Sequence, residues 1–121
     1  SKTVDGAYRS SLYQKLNDLG YDIDFVGDRS SDITNSLPDG DHEGHKWYIS
    51  QFSNYIEAFL DQTDPDIILL MAGGKDISYS SDTARIIDDL NELIGKIITL
   101  RPSSFVFVSN HPKRENDSRW L

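Results

Sequence analysis

Apolar residues recur at helical spacing in three segments of the chain. Between residues 7 and 19 one helical face is apolar, and it consists of Tyr8, Leu12, Leu16 and Leu19. Gly20 follows this segment at the position where a left-handed cap residue is commonly needed. The same spacing predicts a second helix over residues 47–62 and a third over residues 80–100, with Ser81 or Asp82 as N-cap of the third.

Three further segments have the patterns of β-strands. Residues 21–26 alternate between apolar and polar side chains before Gly27, which predicts a strand near a sheet edge. Residues 67–72 and 105–108 are continuous apolar runs, typical of parallel strands covered on both faces. The alternation of helix and strand predicts an α/β fold, with right-handed crossovers and a parallel sheet flanked by helices.

In such folds ligands bind beyond the carboxyl ends of the strands. Here the segments that leave those ends are residues 27–46, 73–79 and 109–114. The first is a long stretch rich in Gly, Ser, Asp and Asn, and long loops in compact domains are often functional. We therefore expect a site to be drawn from these three segments.

Composition excludes several classes of partner. A chain of 121 residues has the usual size of one globular domain, so we expect a single domain over residues 1–121. The formal net charge of -8 disfavours nucleic acid and anionic membranes as partners. There is no cysteine, and the sequence shows neither an apolar stretch of membrane-spanning length nor a signal-peptide pattern at its start.

A pair of glycines, Gly73 and Gly74, ends the central predicted strand and is followed by Lys75 and Asp76. Missing Cβ atoms let the backbone approach a ligand closely, although paired glycines are also common in simple turns. Four other short segments accompany this run, namely residues 6–9, 24–27, 41–45 and 65–70. In combination they resemble the SGNH (GDSL-type) hydrolases, in particular the branch containing the family 3 carbohydrate esterases, across roughly residues 5–109.

This resemblance implies a three-layer, flavodoxin-like fold and an esterase that acts on acetyl esters of carbohydrates without a cofactor or metal. It also implies secretion, although the sequence alone leaves the location open. The family attacks its ester with a serine in a Gly-Asp-Ser turn, activated by a histidine in a C-terminal Asp-x-x-His. Neither segment is found here, so we expect an SGNH domain lacking its first strand and C-terminal part, and inactive as an isolated chain.

The resemblance also assigns oxyanion-hole positions, and two of them are altered. Residues 73–76 correspond to the family's Gly-x-Asn-Asp, with Lys75 in place of asparagine, and residues 44–47 correspond to Gly-His-Ser-Gly-Trp with one residue fewer. By this correspondence the oxyanion-hole positions are Gly44, Lys46, Gly74 and Lys75. The substrate-pocket candidates are His45, Trp47, Gly73 and Asp76. These departures favour an alternative function, a non-catalytic binding or interaction domain on the same scaffold.

Other chemistry has weaker support in the sequence. Ser30 follows Gly27-Asp28-Arg29, a near-match to Gly-Asp-Ser, but it lies after a strand that carries no catalytic residue in the family. The acidic and histidine-containing run at residues 39–45 has one residue too few between its histidines for the helical zinc motif, which favours loop ordering over a metal site. His111, just past the last strand, is placed where a catalytic base could lie, but a solvated loop histidine is the favoured interpretation.

In the family the serine-bearing strand lies between the segments at residues 21–26 and 66–72. Buried unpaired backbone groups cost on the order of 1–3 kcal/mol each, so a gap at this place would not be tolerated. Three arrangements remain: the two strands pair directly, another chain supplies the strand, or the sequence is part of a longer protein. We favour the third, or a truncated relative of the family.

Overall fold

The computed structural model describes residues 8–31, 33–34 and 36–111. Their contacts form two compact units, divided between His45 and Lys46. Each unit is described by itself. Among the described helices, none has both the length and the apolar character needed to cross a membrane.

The first unit contains one helix and a short antiparallel ladder. Helix α1 spans Tyr8–Asp18, strand β1 spans Arg29–Ser30 and strand β2 spans Asp41–His42. Gly20 has φ +85°, and the Tyr21 N–H donates to the Leu16 carbonyl oxygen at 3.0 Å, which closes a left-handed cap after the helix. The predicted helix and its glycine cap are confirmed.

The strand predicted over residues 21–26 is wrong. Ile23 and Phe25 are more buried than their neighbours, as the alternating pattern requires, but no ladder pairs this segment with another part of the described chain. Instead, the Phe25 N–H donates to the Asp39 carboxylate at 2.6 Å. Alternation reports which side chains face inward, whereas a strand also needs a partner backbone.

The second unit carries the parallel pair of strands. Its elements in chain order are α2 (Ile49–Thr63), β3 (Ile67–Leu70), α3 (Gly74–Tyr79), α4 (Thr83–Leu100) and β4 (Phe105–Val108). Ile67 pairs with Phe105 and Leu70 with Val108, in parallel register. The α/β prediction is confirmed by these two strands, and a complete three-layer sheet is not seen among the described residues.

The boundaries of the third predicted helix need one correction. Residues 80–82 are not helical, and helix α4 begins at Thr83. Asp82 caps it, because its carboxylate accepts from the Arg85 N–H at 3.1 Å. The short helix α3, which directly follows the paired glycines, was not predicted.

The core of this unit lies on one face of the strand pair. Its buried members are Ile49, Leu60, Leu93 and Ile97, and Ile68, Leu70 and Val106 pack against them from the strands. The opposite strand face is apolar but exposed, with accessible fractions of 59% at Ile67, 47% at Leu69, 70% at Phe105 and 59% at Phe107. Parallel sheets normally have both faces covered.

Candidate active-site segments

The turn after β3 requires glycine at its first position. Gly73 is buried and has φ +105°, a conformation that other residues rarely adopt. A Cβ atom at Gly73 would also lie 3.3 Å from Ile49 Cδ1. The chain can therefore turn directly from β3 into α3 at this point, which presents Gly74 and Lys75 at the carboxyl end of the strand.

Asp76 connects α3 to α2 through a hydrogen bond. Its side chain is fully buried, and its Oδ2 accepts from the Ile49 N–H, the first residue of α2, at 3.0 Å. A carboxylate at this position also interacts favourably with the helix dipole of α2. The other oxygen, Oδ1, is buried without a hydrogen-bond partner in the described part of the chain. Asp76 therefore fixes the two helices relative to each other and keeps one acceptor oxygen unused.

The ammonium group of Lys75 lies over an aromatic ring. The Nζ atom lies 4.2 Å from the centroid of the Tyr48 ring, within the range of a cation–π contact. The Tyr48 ring in turn contacts Tyr79 edge-on, with 6.5 Å between centroids. Lys75 thus interacts with its own unit through its ammonium group.

His111 is not the solvated residue that the sequence predicts. Its side chain is half-buried, and Nε2 is buried without a hydrogen-bond partner in the described chain. The ring packs over Gly74, so closely that a Cβ atom there would lie 2.7 Å from His111 Cε1. Position just past β4 was the only signal for this residue in the sequence, and the contact with Gly74 depends on the parallel pairing of the two strands.

Two further site candidates, Lys46 and Trp47, are adjacent at the start of this unit. Lys46 is exposed, whereas Trp47 packs against other side chains. Trp47 is half-buried against aromatic side chains of α2. The centroid of its ring lies 5.5 Å from Phe52, 5.2 Å from Tyr55 and 6.0 Å from Phe59. These contacts give the indole a packing role on α2.

The remaining candidates, Gly44 and His45, lie in the first unit. The His45 side chain is 6% exposed, and its Nε2 lies 3.0 Å from Glu43 Oε2 and 3.4 Å from Asp28 Oδ1. The Asp28 N–H donates to the other Glu43 oxygen at 2.8 Å. These contacts join the segment after Gly27 to the segment after β2. No sequence pattern indicates that Asp28 takes part.

His42 accepts a hydrogen bond from the backbone beside these residues. Its Nδ1 accepts from the Gly44 N–H at 2.9 Å, so this nitrogen is unprotonated. Burial lowers the pKa of His42 below its usual value of 6.5, and the charges of Arg9, Arg29 and His45 lower the pKa further, whereas Asp28 acts in the opposite direction. The neutral form of His42 therefore fits this loop.

Ser30 has no catalytic surroundings. It is exposed in strand β1, and its Oγ donates to the Ser31 carbonyl oxygen at 3.3 Å. No hydrogen bond within the described chain joins this hydroxyl to a histidine. A serine nucleophile needs an adjacent general base, and Ser30 lacks one here.

Comparison with solved structures relates this fold to known enzymes. A family 3 carbohydrate esterase of Clostridium thermocellum is 39% identical, with a TM-score of 0.74 over 85% of this chain and 50% of that protein. A mutant acetyl esterase with an acetate ion is 25% identical, with a TM-score of 0.72 over 84% of this chain and 53% of that one. A family 3 carbohydrate esterase from Talaromyces cellulolyticus is 26% identical, with a TM-score of 0.71 over the same shares.

These matches define the fold as that of an SGNH-type hydrolase. Within that class the resemblance to carbohydrate esterase family 3 is confirmed, and the chain spans about half the length of the solved proteins it matches. No protein-family model matches the chain. A search of curated proteins likewise found no match.

Proposed function

We propose that this chain is the oxyanion-binding portion of a serine ester hydrolase, which in its complete form removes acetyl groups from carbohydrates. The observation that carries the proposal is the turn at Gly73, which leads from β3 into α3 and presents the Gly74 and Lys75 backbone at the strand end. The named relatives, a family 3 carbohydrate esterase and an acetyl esterase, support the substrate class.

In this mechanism the chain supplies electrostatic stabilisation. The Gly74 and Lys75 N–H groups would donate to the oxyanion that develops on the ester carbonyl, and each such donor typically contributes on the order of 3 kcal/mol in the transition state. Asp76 acts as a positioning residue, because its bond to the Ile49 N–H holds the start of α3 against α2. His111 packs on Gly74 and limits the space beside it.

The nucleophile and its base have to come from polypeptide outside this sequence. The 121 residues contain no Gly-Asp-Ser and no Asp-x-x-His near the C-terminus, and Ser30 lacks a base among the described residues. Acyl transfer cannot start without an attacking group. We therefore expect the isolated chain neither to hydrolyse 4-nitrophenyl acetate nor to be labelled by a fluorophosphonate, and stoichiometric labelling of one of its serines would contradict this assignment.

A chimera tests whether the scaffold supports catalysis. In the Clostridium thermocellum esterase, the matching half would be replaced by this chain, so that the host supplies the missing serine and histidine by the family correspondence. We expect the chimera to hydrolyse 4-nitrophenyl acetate and to release acetate from acetylated xylan. A chimera that folds, as shown by circular dichroism, but does not react would contradict a catalytic role.

The second candidate function is a non-catalytic binding domain, and the contact of Lys75 with Tyr48 favours it. The ammonium group takes the place of the family's neutral amide donor and lies on an aromatic ring 4.2 Å away. In the chimera, Lys75→Asn should raise kcat if the scaffold is catalytic, whereas Lys15→Asn, at an exposed position of α1, serves as control. If the Lys75→Asn chimera folds but is as inactive as the chimera with Lys75, the result would favour the binding domain.

A further inference from the structure

We propose that Asp28, Glu43 and His45 bind a divalent first-row transition cation, with Zn²⁺ as the best match. The three side chains each offer one ligand atom, and all three atoms lie within 4.8 Å of one another. The proposal goes beyond ester hydrolysis, because no step of that reaction needs the ion.

The spacing of the ligand atoms fits tetrahedral coordination. Zn²⁺ binds imidazole nitrogen and carboxylate oxygen at about 2.0–2.2 Å, so two ligand atoms of a tetrahedron lie roughly 3.3–3.6 Å apart. His45 Nε2 lies 3.4 Å from Asp28 Oδ1 and 3.0 Å from Glu43 Oε2. The third ligand atom lies within 4.8 Å of each of the other two, so the three atoms are close enough to share one ion.

The charge balance of the cluster also favours a cation. Two carboxylates converge on one imidazole nitrogen, and in neutral imidazole that nitrogen carries at most one proton, which it can direct to one carboxylate. A divalent ion would neutralise both carboxylates at once. The His45 side chain is 6% exposed, whereas Asp28 and Glu43 are 45% and 25% exposed, so the imidazole forms the buried wall of a site that is accessible from solvent.

The backbone holds the ligands in place before any ion arrives. The ladder pairs Arg29 with His42, which sets Asp28 and Glu43 side by side. Gly27 permits this close approach, because a Cβ atom there would overlap the backbone of His42. The Asp28 N–H holds Glu43 Oε1 at 2.8 Å and leaves Oε2 directed at His45. In known metal sites, hydrogen bonds from neighbouring groups to the ligands orient them in this way.

The ligand set selects the class of metal. One imidazole with two carboxylates suits Zn²⁺ and its transition-metal neighbours, whereas Ca²⁺ prefers six to eight oxygen ligands. The helical zinc motif concerns only the spacing between His42 and His45. The structure instead combines His45 with Glu43 and with Asp28, which lies in a different segment of the loop.

Isothermal titration calorimetry of ZnCl₂ into the chelator-treated 121-residue chain tests the site. We expect one equivalent to bind, and we expect His45→Gln and Asp28→Asn each to weaken binding by at least about tenfold, the effect typical of losing a metal-site contact. His111→Gln, which alters a histidine outside the cluster, is the matched control and should leave binding unchanged. Co²⁺ in place of Zn²⁺ should give the intense visible absorption of a tetrahedral site.

Several results would overturn the proposal. Absence of a one-equivalent binding event would do so, as would binding that survives His45→Gln or that is lost in His111→Gln. Tighter binding of Ca²⁺ than of Zn²⁺ would contradict the transition-metal assignment. If His45→Gln fails to fold by circular dichroism, Asp28→Asn decides, since Asp28 is 45% exposed and we expect its replacement to leave the fold in place. These metal-binding measurements do not depend on esterase activity.

Discussion

Asp76 and Ile49 are joined by a buried hydrogen bond from the Ile49 N–H to Asp76 Oδ2, 3.0 Å long and 27 residues apart in sequence. The bond connects the first residue of α2 with the first turn of α3. It satisfies one of the backbone donors that a helix start leaves without an internal partner. The Asp76 carboxylate therefore helps to hold the turn at Gly73 against the core.

Replacing this carboxylate should destabilise the chain. Asp76→Ala leaves the buried Ile49 N–H without an acceptor, which typically costs about 1–3 kcal/mol in the free energy of unfolding. Asp76→Asn keeps an acceptor oxygen and should cost less. Urea denaturation measures both, with Asp88→Ala, at an exposed position of α4, as control. A loss no larger for Asp76→Ala than for Asp88→Ala would refute the structural role.

The contact between Gly74 and His111 predicts a coupling between these residues. A Cβ atom at Gly74 would lie 2.7 Å from His111 Cε1, so Gly74→Ala forces the ring to move and lowers stability. In Gly74→Ala/His111→Ala the clash is absent. A double-mutant cycle should therefore give a coupling energy of about 0.5 kcal/mol or more, as measured for residues in contact. Strictly additive effects would show that the two residues do not touch in solution.

The exposed strand face predicts binding of an apolar dye. Ile67, Leu69, Phe105 and Phe107 form a continuous apolar surface on β3 and β4. We expect the chain to enhance the fluorescence of 8-anilinonaphthalene-1-sulfonate, and Phe105→Ser/Phe107→Ser to reduce the enhancement. Val106→Ser, on the packed face, should instead lower stability, because Val106 contacts the core. Equal dye binding by wild type and the double variant would count against an exposed face.

The pKa of His42 predicts how stability depends on pH. Because burial and the nearby cations lower the pKa in the folded chain, the unfolded chain binds more protons at pH values below about 6.5. The stabilisation is fully present above the unfolded pKa and is lost as pH falls towards the lower folded pKa. Stability should therefore fall with acidification in this window, more in wild type than in His42→Gln.

A titration of the imidazole by NMR, with chelator present, measures the pKa directly. Arg29→Gln should move the pKa of His42 upward, since it removes one of the charges that lower it. The control is Lys15→Gln, which changes the same charge on the exposed side of α1. A pKa of His42 above 6.5 in wild type would contradict the prediction.

Sequence patterns located most of the elements because each depends on local periodicity. The apolar run at residues 105–108 coincides with β4, and the helical spacing over 47–62 gives α2 to within two residues. The alternation at residues 21–26 marked the inward side chains correctly and still failed to give a strand, since backbone pairing depends on a partner that lies elsewhere in sequence. Helix α3 was missed because six residues are too few for a periodic signal.

The α/β class and the resemblance to the SGNH hydrolases could be read from the sequence, because both follow from residue type and short-range spacing. Which side chains come into contact depends on how the chain folds in three dimensions. The tertiary structure places His111 against Gly74, the carboxylate of Asp76 on Ile49, and Asp28 beside His45. Such contacts arise from strand register and turn geometry, which bring together side chains that no local pattern relates.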